Sequence, residues 1–197
     1  NSSISIFKNT QLIGYWAAST ITDHNFDPTI EDVSLSATNA YMFEFSTKLA
    51  LFDVKGGFKS IPRDFTSLGN SSVQTDVQAL KLDGRTKFLD NQIMLSVGFE
   101  NNRNNLDLLE AQITHSSTYA TNANFSFKGY PGLSVGYRLM TRDGEAVVQD
   151  TSGVQLSDDY TTTLTFGPSY AFAIRDMEIG LSGNIMLMEF NDNANPD

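Results

Sequence analysis

The residues best equipped for chemistry are two histidines and their neighbours. His115 stands beside Ser116 and Ser117, and His24 lies between Asp23 and Asp27. Histidine with serine and a carboxylate is the machinery of nucleophilic acyl transfer. That chemistry needs the three groups to converge in space. On a strand, Ser116 points to the face opposite His115, so their adjacency argues against a dyad. His115 therefore reads as a polar residue at the rim of a strand, and the chain as a non-enzyme. Asp143-Gly144-Glu145 and Asp158-Asp159 carry the oxygen ligands that calcium takes, but at no EF-hand spacing. They read as solvated loops. No phosphate loop, zinc motif or dinucleotide fingerprint occurs, so neither metal nor cofactor is expected.

The basic residues follow a different logic. Lys48, Lys55, Lys59, Lys81, Arg85, Lys87, Lys128, Arg138 and Arg142 share one parity within their segments, and they are nine of the thirteen basic residues. Glu44, Asp53, Asp83, Glu100 and Glu178 are the acids of that parity. Most other acids fall in the connections, among them Asp23, Asp27, Glu31, Asp32, Asp107, Glu110, Asp150 and Asp159. The opposite parity carries Phe43, Phe45, Leu95, Val97, Phe125, Phe127, Val135, Tyr137, Leu164, Phe166, Ile179 and Leu181. Successive strand side chains alternate between faces, so each segment has one greasy and one polar face. A basic polar face suits a lumen with a preference for anions. It equally suits a cross-strand ladder of ion pairs filling a narrow barrel.

The elements that must position these faces are long strands. Tight turns fall at Lys48–Phe52, Leu89–Gln92, Gly129–Gly132 and Ala173–Asp176. Long polar stretches lie between them at Thr20–Ala40, Pro62–Asp76, Asn101–Gln112 and Asp143–Asp159. Outer-membrane barrels alternate short and long connections in this way. A propeller would need four strands per repeat, and only two fit here. Runs of ten or more residues match a tilted bilayer span. Aromatics sit toward strand ends, as an interfacial girdle requires. Trp16 reads as such an anchor in preference to a sugar-binding surface. Ile4 to Thr20 reads as one strand, apolar on both faces. Leu106 to Gln112 has the best helical pattern but is short and uncapped, so it reads as loop or strand entry.

Composition sets the outer bounds. The 197 residues carry a net charge of -10, so nucleic acid is excluded as a partner. There is no cysteine, hence no disulfide or thiolate site. No apolar run is long enough for a transmembrane helix. The chain opens without a signal-peptide pattern and closes on the polar Asn191–Asp197, so a fragment ending inside a loop is expected.

Three segments carry a resemblance. Phe58–Asn70 holds a Ser-Leu-Gly-Asn loop after a strand. Ile93-Met94-Leu95-Ser96-Val97-Gly98-Phe99-Glu100 precedes Asn104-Asn105-Leu106-Asp107. Pro131-Gly132-Leu133-Ser134-Val135-Gly136-Tyr137-Arg138 follows. Together, over Tyr41 to Glu189, they resemble the β-barrel region of uncharacterised outer-membrane proteins from Bacteroidetes-like bacteria. The resemblance implies an outer-membrane barrel and brings no activity or site residue with it.

The expected fold is therefore all-β: an antiparallel up-and-down transmembrane barrel of eight to ten strands, one domain or a piece of one. The expected function is a passive pore or a structural component of envelope assembly in a Gram-negative outer membrane. Its expected partners are membrane lipid and other envelope proteins. The alternative class is a soluble β-barrel or β-sandwich that binds a ligand or partner.

Overall fold

The computed structural model describes residues 2–7, 9–22, 35–66, 74–106, 108, 112–147, 158–174 and 177–192. Every regular element among them is a strand: β1 (Ser2–Phe7), β2 (Thr10–Thr22), β3 (Leu35–Lys48), β4 (Phe52–Ile61), β5 (Val77–Phe88), β6 (Ile93–Arg103), β7 (Gln112–Phe125), β8 (Gly132–Ala146), β9 (Asp158–Ile174), β10 (Met177–Ser182) and β11 (Ile185–Asp192). They form a single antiparallel meander in chain order, with both β10 and β11 on β9.

β10 and β11 are two halves of one strand. Ser182 pairs with Ser169 and Ile185 with Phe166, so the register runs unbroken through residues 183 and 184. The break has a cause. Pro168 accepts from the Gly183 N–H at 3.0 Å but has no N–H to return. The sheet thus has ten strands across its width. Its edges, β1 and β10–β11, are not paired with each other, so the observed sheet is open rather than a closed barrel.

Tight turns stand between β3 and β4, β5 and β6, and β7 and β8, as expected, while residues 175–176 between β9 and β10 lie outside the described residues. Two are explained residue by residue. Phe127 to Tyr130 is closed by Tyr130 N–H donating to Phe127 O, with Gly129 at φ +82°, as a type II turn requires at its third position. Leu89 to Gln92 is closed by Gln92 N–H donating to Leu89 O, with Asp90 and Asn91 both at positive φ. That is a type I′ turn, whose twist matches the flanking strands.

Four expectations need correction. Ile4 to Thr20 is not one strand but the hairpin of β1 and β2, in which Phe7 pairs with Thr10. Its parity was unreadable because Leu12, Ile13, Tyr15 and Trp16 place apolar groups on both faces. Asn191 and Asp192 end β11 rather than begin a loop. Phe127 and Lys128 lie in the β7–β8 connection, not on a strand face. Three of the four long stretches are shorter than they read, because β3, β6 and β8 extend into them, while Pro62–Asp76 stands as expected between β4 and β5. His24, Asp23, Asp27, Glu31, Asp32, Asp107, Glu110 and Asp150 lie outside the described residues.

One hydrogen-bonded row shows how the sheet is sheared. It runs Thr10, Thr47, Val54, Gly84, Val97, Thr121, Tyr137, Leu164, Leu187. Thr10 is the first residue of β2, beside a tight turn. Leu187 lies ten positions beyond Met177, where the last strand begins. Averaged over the eight steps, each strand is therefore offset from the previous one by about 1.2 residues, the kind of stagger that a closed barrel needs.

Candidate functional site

Because register partners share a face, the pairings sort the side chains without reference to parity. One face holds Phe43 opposite Phe58, Leu82 opposite Phe99, Val97 opposite Thr121, Val135 opposite Phe166 and Leu164 opposite Leu187. Phe45, Leu95, Phe125, Tyr137, Ile179 and Leu181 belong to it as well. Its large side chains are uncovered: Phe43 is 49% exposed, Val97 57% and Leu164 42%. Apolar residues that are fully buried among those described are only Ala40, Val77, Ala79 and Ile113, all near the long-connection ends of their strands. Among the described residues, no second layer packs on the greasy face and it forms no dry core.

Toward the long connections that face meets the row Trp16, Tyr41, Ser60, Gln78, Arg103, His115, Asp143, Asp158. Here apolar side chains give way to polar ones across seven ladders. His115 sits on this rim, with its Nε2 4.0 Å from Glu145. Asp143, Glu145 and Asp158 are on or beside the same rim, and Asp159 is on the opposite face, where it pairs with Arg142 at 3.8 Å. Among the described residues, no three metal-ligating side chains cluster.

The other face carries the charges. Its rows read Lys48–Asp53–Arg85–Ser96, Ser46–Lys55–Asp83–Gly98 and Gly57–Lys81–Glu100–Thr118. Lys59, Lys87, Arg138 and Arg142 occupy neighbouring rows of the same face. Opposite signs alternate across the ladders, and Lys81 Nζ lies 3.8 Å from Asp83 Oδ2. Eight of the nine expected basic residues thus share one face, with Lys128 in the turn as the exception. Register sets Lys55 opposite Asp83 and Arg85 opposite Asp53, while the Lys81–Asp83 pair lies within β5, and Lys59 and Lys87 stand opposite Ala79 and Met94.

Among the described residues, two cavities lie along the strands on this polar side, and a third opens at their turn end beside Asp53, Arg85 and Lys87. One, about 650 Å³, is bounded by Lys48, Asp53, Lys55, Arg85, Ser96 and Asn122. The next, about 470 Å³, is bounded by Lys81, Asp83, Glu100, Arg138, Thr163 and Met186. A hollow spanning five or more neighbouring strands is the inside of a curve, so the polar face is the concave one. Small residues line it. A Cβ at Gly136 would collide with Thr165 Oγ1 and lie 2.7 Å from Asn122 Oδ1, and one at Gly98 would lie 3.2 Å from Asp83 Oδ1.

Two features depart from the two-faced pattern of the sequence. Met186, Met188 and Phe190 place apolar groups on the polar face of β11, each 57–65% exposed, so this edge strand is greasy on both sides. The second is a latch between connections. Asp76 accepts from the backbone N–H groups of Asn105 (3.0 Å) and Leu106 (2.8 Å). Asn105 is only 1% exposed and donates to Gln112 O, while Thr114 N–H donates to Asn104 Oδ1. The signal available was the Asn-Asn-Leu run after β6, which reads as ordinary loop composition.

No protein family, curated protein or solved structure matches this chain.

Proposed function

We infer that this chain is a transmembrane β-barrel of a Gram-negative outer membrane, acting as a passive pore or a structural part of the envelope. One observation carries the reading: the sheet curves with its charged face inside and leaves a continuous greasy face outside, uncovered. A soluble barrel or sandwich would bury that greasy face, and the curvature runs the other way. In a bilayer, Phe43, Phe45, Leu95, Val97, Phe125, Val135, Tyr137, Leu164, Phe166, Ile179 and Leu181 would meet acyl chains, with Phe127 at the turn end. The charged set would line water.

Further support comes from dimensions. From β2 to β9 the strands run 10 to 17 residues, long enough for a tilted span. The offset of about 1.2 residues per strand, carried round ten strands, gives a shear of about 12 and a tilt near 40°, within the range of closed barrels. Joining β1 to β10–β11 would also remove two free edges, which invite aggregation.

Detergent dependence tests the reading. The chain should aggregate in plain buffer and become monodisperse and β-rich on refolding into micelles. A monodisperse β protein without detergent would overturn it.

A further inference from the structure

The charges of the concave face are not spread evenly along the strands. Take first the four strand residues nearest each tight turn. Among the described side chains of the polar face, they include Lys48, Lys55, Arg85 and Lys87, with Asp53 as the acid. The next four positions hold Lys59, Lys81 and Arg138 against Glu44, Asp83 and Glu100, a balanced set. Farther up, Arg142 is paired with Asp159. The long connections beyond are acidic by sequence.

The cavities follow the same division. The turn-side cavity brings Lys48, Lys55 and Arg85 together with Asp53 and Asp83, a surplus of one positive charge. The loop-side cavity pairs Lys81 and Arg138 with Asp83 and Glu100, leaving no excess. In a chain of net charge -10, a hollow with surplus cations is a local inversion of the field. Curved low-dielectric walls concentrate such a field and raise the local concentration of counter-ions. Arg85 adds a planar fork suited to oxyanions.

We propose that the turn-side cavity is a binding site for small oxyanions, the carboxylate or phosphate groups of solutes. Lys48, Lys55 and Arg85 are its specificity-determining residues, and they make the concave face electrically directional. The directional part rests on the pore reading above. The site itself does not, because it needs only the cavity.

The probe is inorganic phosphate, titrated by calorimetry into the full chain in micelles. Two triple variants are compared: K48Q/K55Q/R85Q and K59Q/K81Q/R138Q. The first should weaken phosphate binding about tenfold or more, since each lost exposed contact is worth up to about fivefold. The second should leave it within about twofold. K55Q alone carries the comparison if the first triple loses its strand signal by circular dichroism. In planar bilayers under a KCl gradient, the native chain should favour chloride, and the first triple should lose that preference. Native protein that binds no phosphate, or equal losses in both triples, would overturn the site. Absence of channels with the phosphate pattern intact would remove the pore and keep the site. Channels without phosphate binding would do the reverse.

Discussion

Phe45 lays its ring over Gly56. The two are register partners on β3 and β4, and a Cβ placed at position 56 would lie 2.7 Å from Cζ of the ring and collide with Cε1. The glycine leaves a gap on the greasy face, and the neighbouring aromatic covers it. This relationship fixes which residue of β3 stands beside which residue of β4, something alternation alone leaves free.

The first expectation follows directly. Gly56→Val must expel the Phe45 ring, and overpacking of this kind costs about 1–3 kcal/mol. Phe45→Ala removes the cover but creates no clash. Urea unfolding in micelles should place Gly56→Val below the native chain, and the double change Gly56→Val/Phe45→Ala should recover part of the loss. Additive losses would show that the ring and the glycine do not interact.

Asp76 should matter for the long connections rather than for the sheet. Its carboxylate receives two backbone N–H groups from Asn105 and Leu106. Hydrogen bonds to charged groups are worth about 1.5–3 kcal/mol, less where water reaches them. Asp76→Ala should speed hydrogen exchange at the Asn105 and Leu106 amides by about tenfold or more and open the β6–β7 connection to protease. Amides in the middle of β5 and β6 should exchange as before. Unchanged exchange at both residues would refute the latch.

Leu89 is the oddest residue of the β5–β6 turn. It holds φ +48° directly before Asp90 and Asn91, both also left-handed. Asparagine tolerates that region and leucine pays about 1–2 kcal/mol to occupy it. The side chain is 62% exposed, so little packing is lost on replacement. Leu89→Asn should therefore stabilise the chain by roughly 0.5–1.5 kcal/mol, read as a higher urea midpoint at unchanged slope. A lower midpoint would mean that the leucine makes a contact worth more than the strain.

Much of the architecture was legible in the residues themselves. Period-two alternation in Leu133, Val135, Tyr137 and Leu139 names a strand whatever it packs against, because neighbouring side chains have no choice but opposite faces. Asp90-Asn91 and Gly129 name turns because few other residues accept positive φ at low cost. The β1–β2 hairpin was hidden because its flanks are apolar on both sides, leaving no alternation to read. Asp76 and Asn105 were hidden because they are 29 positions apart and each sits in loop-like composition.

The sequence by itself determined the faces: which side chains keep company along each strand, where the chain reverses, and that the charge and the grease separate. It did so through local stereochemistry, which acts within a few residues. Only the tertiary structure decided the register, and with it that Lys55 stands opposite Asp83 and Arg85 opposite Asp53. It alone also decided that the charged face is the hollow one. Alternation is unchanged by sliding a strand two residues or by curling the sheet the other way. Both are fixed only when ten strands must satisfy their hydrogen bonds and side-chain volumes together.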